Sequence, residues 1–257
     1  MRSIWNGSVG FGLVNIPIKI YSASESSTIN LDMLDKNDLS RIRYKRVNEN
    51  TNKEVDYNDI VKGYLYEEEY ILLSNEDFEN ASAKKSKTIE ITEFVEEKDI
   101  DTIYYEKPYY LEPEKNGKRA YALLREALKK TRKVGIATFV LRNKENLAII
   151  KPMEEVLVLN KIRFENEVRD HSEIDLPEKL DIKGKELDMA IALIDQYTTD
   201  FDITAYKDMY TDALMQVIEA KAKGIKTKIK KLDVAPTKAK DLMAQLKASL
   251  EKTKKAS

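Results

Sequence analysis

Few residues in this chain are equipped for acid–base or nucleophilic work. There is one histidine, His171, and no cysteine. His171-Ser172-Glu173 reads as a polar loop and not as part of a triad, because no partner for the imidazole is recognisable. Carboxylates are abundant, among them Glu67-Glu68-Glu69 and Asp99 with Asp101. A two-metal nuclease needs such groups brought together, and abundance alone does not do that. The phosphate-binding loop Gly-x-x-x-x-Gly-Lys-Ser/Thr is missing, which removes an ATPase of that type. A lysine could form a Schiff base with a carbonyl substrate, but nothing singles out one lysine. The remaining chemistry is electrostatic. In Arg41-Ile42-Arg43-Tyr44-Lys45-Arg46 the cations alternate with an apolar and an aromatic residue. Read as a strand, this places Arg41, Arg43 and Lys45 on one face at ~7 Å intervals. Such a row suits a phosphate backbone. It equally suits a solvated edge strand that uses charge to block aggregation.

The elements around these residues are mostly strands as far as about residue 165. The opening reads as a strand bent twice, with Val9, Phe11 and Leu13 on one side, Gly10 and Gly12 leaving the other bare, and Ile16, Ile18 and Ile20 sharing a face after Pro17. Ile89 and Ile91 alternate before Phe94 and Val95 break the pattern. Val134–Leu141 and Leu147–Ile150 flank a hairpin loop at 142–146, and Val156–Phe164 alternates again. Ala120–Lys130 forms one helix with a stripe of Leu123, Leu124, Ala127 and Leu128. Short strands with few helices point to a mainly β, α+β fold built on a barrel or sandwich. Past Pro177 the pattern turns helical. One set is Leu187, Ala190, Ile191 and Ile194; another runs from Tyr206 and Met209 to Val217 and Ile218, with Asp202 or Thr204 as cap and Gly224 as stop. Ile225–Val234 is a Lys-rich linker, and Thr237–Glu251 a last amphipathic segment that is marginal alone.

The 257 residues carry a net charge of −1, which hides an asymmetry. From Lys221 onward twelve lysines face Asp233, Asp241 and Glu251, a net of +9, so the rest carries −10. A basic tail on an acidic body points to a polyanion partner. The absence of cysteine excludes disulfides and thiolate metal sites and agrees with a reducing compartment. No apolar run approaches ~18 residues and no signal pattern opens the chain, so a soluble, non-secreted protein with no membrane partner is expected.

The literal strings narrow this further. Trp5, Gly7, Phe11-Gly12-Leu13-Val14 and Ile16-Pro17-Ile18-Lys19 resemble the opening of bacterial Ku proteins, the DNA-end-binding dimers of non-homologous end joining. The basic strand, Asp59–Tyr64 with Glu67-Glu68, Lys87–Ile91, Tyr105–Leu111, Tyr121–Leu128, Phe201-Asp202, Tyr206-Lys207-Asp208 and Glu219-Ala220-Lys221 follow in the family's order, spanning about residues 2–224. One departure is clear: many relatives carry cysteines just after the basic strand, and Val47–Lys53 has none. The resemblance implies a Ku-type barrel core over 1–177, including a bridge over DNA at about 41–73. It also implies a helical arm embracing a second subunit over 178–224 and a flexible tail over 225–257. It implies a homodimeric ring, without catalytic residues, metal or cofactor, that threads onto double-stranded DNA ends and recruits an ATP-dependent DNA ligase, in the cytoplasm at the nucleoid. An end-processing lyase or nuclease is the alternative. The DNA-contact candidates are Arg41, Arg43, Lys45, Arg46, Lys53 and Lys62. Arg132, Lys133, Arg142 and Lys144 join them, with Lys226, Lys228, Lys230 and Lys231 in the tail.

Overall fold

The computed structural model describes residues 1–81, 87–141, 144–177, 182 and 184–225. Arg142, Lys226, Lys228, Lys230 and Lys231, and the segment Thr237–Glu251, lie outside the described residues.

The chain opens with a tight hairpin instead of one bent strand. β1 (Trp5–Phe11) pairs antiparallel with β2 (Val14–Ser22), and Phe11 faces Val14 across a two-residue turn of Gly12 and Leu13. Gly12 takes φ +57, a conformation open to a residue without Cβ, and Leu13 projects fully into solvent. The alternation Val9–Phe11–Leu13 therefore ends at Phe11. Ile16, Ile18 and Ile20 of β2 do share a buried face, as their spacing requires.

β2 pairs with β6 (Tyr105–Pro113), β6 with β9 (Val156–Ile162), β9 with β8 (Lys144–Met153), β8 with β7 (Lys133–Leu141) and β7 with β5 (Thr88–Glu96), all antiparallel. A short parallel pairing of β5 with β1, Ser8 opposite Thr88 and Gly10 opposite Glu90, closes the barrel. The register of β5 slips between Ile91 and Glu93, a bulge where the sequence alternation breaks. Lys144 already belongs to β8, so the connection from β7 is shorter than the 142–146 loop expected from sequence. Closure leaves these seven strands without an open edge.

The interior is filled by Val9, the three β2 isoleucines, Ile89, Leu111, Phe139, Ile150, Leu157 and Leu159, with Ala137 and Ala148 where strands approach. The helix expected at Ala120–Lys130 is α2 (Lys118–Thr131). Its buried stripe is Tyr121, Leu124 and Leu128, joined to the same core, while Leu123 is 68% exposed. Tyr121 displaces Leu123 because its phenol finds two main-chain partners: it donates to the Leu111 carbonyl at 2.7 Å and accepts from the Leu157 N–H at 2.6 Å. Leu111 and Leu157 are themselves opposed on β6 and β9. Val134, Ile149 and Ile162 form a separate cluster under Ile100, Tyr104 and Tyr105.

Between β2 and β5 runs a long excursion of a different character. It carries a two-stranded hairpin, β3 (Lys62–Tyr66) with β4 (Glu69–Leu73), and a short helix α1 (Asn75–Ala81), whose start is fixed by Ser74 and Asp77. From Ala23 to Ala81 no residue is buried.

Contacts group Ser27–Ile29 and the chain from His171 into a second compact unit. Its helices are α3 (Gly184–Tyr197) and α4 (Met209–Ala222), neither with a buried residue. Asp208 caps α4, accepting from the Tyr210 and Thr211 N–H groups at 3.1 Å. Asp202, one of the two caps expected from sequence, instead closes a single turn at Ile203–Ala205, and Thr204 lies in it. Gly224 stops α4 as expected, at φ +71, with the Ile225 N–H bonded to the Ala220 carbonyl at 2.9 Å.

Candidate nucleic-acid interface

The excursion is built from turns that hold themselves without a core. The Ile42 N–H bonds to the Met33 carbonyl at 2.9 Å and Leu34 bridges Arg41, closing one small loop. Inside it the Asp35 carboxylate accepts from the Asn37 N–H and Asp38 from the Ser40 N–H. The Ser40 bonds hold the Asp38 carboxyl below its ordinary range. A second loop closes where the Val55 N–H meets the Arg46 carbonyl at 2.9 Å and Val47 bridges Glu54. Asn48 Oδ1 caps its turn by accepting from Asn50 and Thr51, both at 3.0 Å. Asn48 thus shapes this turn.

Arg41–Arg46 is thus the strut between two loops, and not the ladder strand read from its alternation: its only sheet-like contact is the isolated bridge at Arg41. The strand assignment fails because both flanking segments fold back on themselves, leaving Ile42 and Tyr44 exposed and no neighbour to pair with. The cations nevertheless stay together on the strut. Arg41 pairs with Asp32 at 2.8 Å and Lys45 with Glu54 at 2.6 Å. Arg46 lies over the Tyr57 ring, 5.2 Å from its centroid. Arg43 is exposed and has no side-chain partner among the described residues. Lys53 sits on the second loop, its carbonyl accepting from the Asn48 N–H. Lys62 opens β3 and stands over the Phe78 ring at 4.6 Å.

Hairpin β3–β4 turns on Glu67 and Glu68, both with positive φ. Its register places Tyr64, Tyr66, Ile71 and Leu73 on one face and Leu65, Tyr70 and Leu72 on the other. Lys62 and Glu69 stand at the ends of the first face, both faces are otherwise apolar, and both are open, Tyr64 at 65% and Leu72 at 64% exposure.

The remaining candidates lie on the barrel and are not gathered. Arg132 ends α2 in the left-handed conformation and Lys133 begins β7 opposite Glu96. Lys144 stands at the far end of the β7–β8 pair, ~27 Å away along the strand. It pairs with Glu167 at 3.0 Å, and that bond is the main cause of Glu167's lowered pKa.

Sequence reasoning missed Asp32 and Glu54, the carboxylates on two of the basic residues. Each lies nine positions from its partner, across a stretch dense in Asn, Asp and Ser; that density was the available signal of a turn returning acid to base. Among the described residues no group of three or more metal-ligating side chains is assembled, and no helix is long and apolar enough to cross a membrane.

A closed seven-strand barrel with a coreless, cation-bearing excursion inserted between β2 and β5 defines the class of fold. The chain belongs to the Ku family: the Ku70/Ku80 beta-barrel domain matches residues 10–189. It is 40% identical over 265 residues to the non-homologous end joining protein Ku of Coxiella burnetii, covering 99% of this chain and 97% of that protein. The protein of the same name from Archaeoglobus fulgidus is 39% identical over 258 residues, covering 99% and 100%. That from Bacillus subtilis is 39% identical over 260 residues, covering 99% and 83%.

Proposed function

We propose that this protein is a DNA-end-binding component of non-homologous end joining, acting as a homodimeric ring that threads onto duplex ends and does no chemistry itself. One observation carries the reading: the excursion has no buried residue and carries a hairpin largely apolar on both faces. A lone two-stranded hairpin is marginal in water, so this one needs a cover. A second copy, offering the same element in return, is the cover that closed two-fold symmetry supplies. The names of the relatives support the end-joining role.

In this reading the bridge at about 41–73 arches over DNA, and two such bridges complete the ring. An extended arm of about twelve residues reaches ~40 Å, enough for each copy to cover its half of a duplex. Helices α3 and α4 embrace the other subunit with Leu187, Ile191, Ile194 and Tyr210, all exposed in the single chain. Barrel and bridge (1–177), helical arm (178–224) and tail (225–257) are then three functional parts. Arg41, Arg43, Lys45, Arg46, Lys53 and Lys62 contact phosphates from the bridge. Arg132, Lys133, Arg142 and Lys144 contribute from the barrel, and Lys226, Lys228, Lys230 and Lys231 from the tail. Ile203–Gly224 is the interval offered to an ATP-dependent ligase, and the protein works in the cytoplasm at the nucleoid.

Selection of ends then follows from topology, because a closed ring cannot encircle an uninterrupted circle. A gel shift comparing a linear duplex with a covalently closed circle of the same sequence tests this. Binding to the linear form alone is expected; equal binding to both overturns threading.

A further inference from the structure

We propose that Asp32 and Glu54 are built-in counter-charges that limit the grip of the bridge on DNA, leaving Arg43 the uncompensated member of the Arg41, Arg43 and Lys45 row; this rests on the DNA-end-binding reading above. The two pairs are arranged alike. Asp32 and Arg41 sit across the root of the first loop, Lys45 and Glu54 across the root of the second, each pair nine residues apart. Arg43 lies midway on the strut with no carboxylate on it among the described residues.

Both pairs are well exposed, with side-chain accessibilities of 76% and 61% for Arg41 and Asp32, and 68% and 57% for Lys45 and Glu54. Pairs this open add little to stability. Their effect falls on the approaching polyanion. A cation in contact with a carboxylate presents almost no net charge beyond a Debye length of ~8 Å. The row of three cations read from the sequence therefore meets DNA as one uncompensated charge, Arg43, flanked by two neutralised ones. Arg46 keeps its charge, since the Tyr57 ring supports it without cancelling it. A ring that has to move along DNA after threading is helped by such a weakened grip: the ring supplies retention, and the contacts need not.

The test uses the full-length protein and a blunt-ended linear duplex, with affinity measured by fluorescence anisotropy across a series of KCl concentrations. Asp32→Asn and Glu54→Gln each remove one counter-charge per subunit, two per dimer. Each is expected to tighten binding about tenfold at fixed salt, from two charges acting over ~5 Å in water. Each should also steepen the dependence of log K on log salt by about 1.8, at ~0.9 per restored neutralisation. Arg43→Ala is expected to weaken binding more than Arg41→Ala or Lys45→Ala. Glu49→Gln is the control: it makes the same charge change in the second loop, on a carboxylate without an ion-pair partner among the described residues. The proposal is overturned if Asp32→Asn and Glu54→Gln leave affinity and slope unchanged, or if Glu49→Gln matches Glu54→Gln. Equal binding of linear and closed circular DNA by the unaltered protein would instead remove the end-threading reading, while a steeper slope in the two variants would keep the counter-charges.

Discussion

Tyr121 ties helix α2 to the barrel, and removing its hydroxyl gives a calculable test of how the scaffold is held. The phenol is 6% exposed and bonds the Leu111 carbonyl at 2.7 Å and the Leu157 N–H at 2.6 Å. Burial pushes its pKa up, and the protonated phenol can donate to one partner while accepting from the other. In Tyr121→Phe the ring still fills its place, but a carbonyl and an N–H on neighbouring strands lose their partner. A buried main-chain group left unsatisfied costs about 1–3 kcal/mol, giving about 2–6 kcal/mol for the pair. Tyr121 also lines an outer groove of about 770 Å³ beside Tyr110 and Arg125. Water entering there can serve one of the two groups, which places the expectation at about 2–4 kcal/mol. In a domain of this size that lowers Tm by ~5–15 °C. Trp5 is the sole tryptophan and packs on the barrel core, so its fluorescence in a urea titration reports this unit. Tyr110→Phe, on the wall of the same groove but without a bond to the core, should leave the midpoint in place. A Tyr121→Phe protein within ~0.5 kcal/mol of the original would refute the argument that this hydroxyl carries the two strands.

Two further outcomes follow from the site and the helical unit. Changing Arg41, Arg43 and Lys45 together to Glu should abolish binding of DNA ends while leaving dimer formation intact in analytical ultracentrifugation; undiminished binding removes the bridge as the contact. Asp208 titrates below the usual carboxylate range, first through the Thr211 hydroxyl and then through the Thr211 and Tyr210 N–H groups. A lowered folded-state pKa means that the cap stabilises α4 above the ordinary carboxylate pKa of ~3.9 and is lost as pH falls through the folded value. Thr211→Val should raise the Asp208 midpoint in an NMR titration, and an unchanged midpoint would show that the hydroxyl is not the cause.

The barrel was legible where burial imposes a period on the sequence. Ile16, Ile18 and Ile20 had to share a face, and the break at Phe94 and Val95 marked the β5 bulge. Misreadings came where a local turn overrode a pattern that continued across it. Leu13 keeps the alternation of Val9 and Phe11 but sits on a turn that Gly12 permits. Leu123 keeps helical spacing, yet Tyr121 takes the buried position because its hydroxyl satisfies two main-chain groups that a leucine could not. The basic stretch kept its charges together and lost its strand, since a strand needs a neighbour and both flanks fold back on themselves. Its partners Asp32 and Glu54 were missed because an ion pair across a loop depends on the loop's closure, which no residue period encodes and only the density of turn residues signals.

The central claim is topological, and trapping tests it most directly. The protein is bound to a linear duplex, the DNA is then ligated into a covalently closed circle, and the complexes are challenged with high salt, which releases contacts that depend on phosphates. Dimers threaded on the circle should survive the challenge and be released once a restriction enzyme reopens it. Equal loss of protein from circular and reopened DNA at the same salt would contradict the ring.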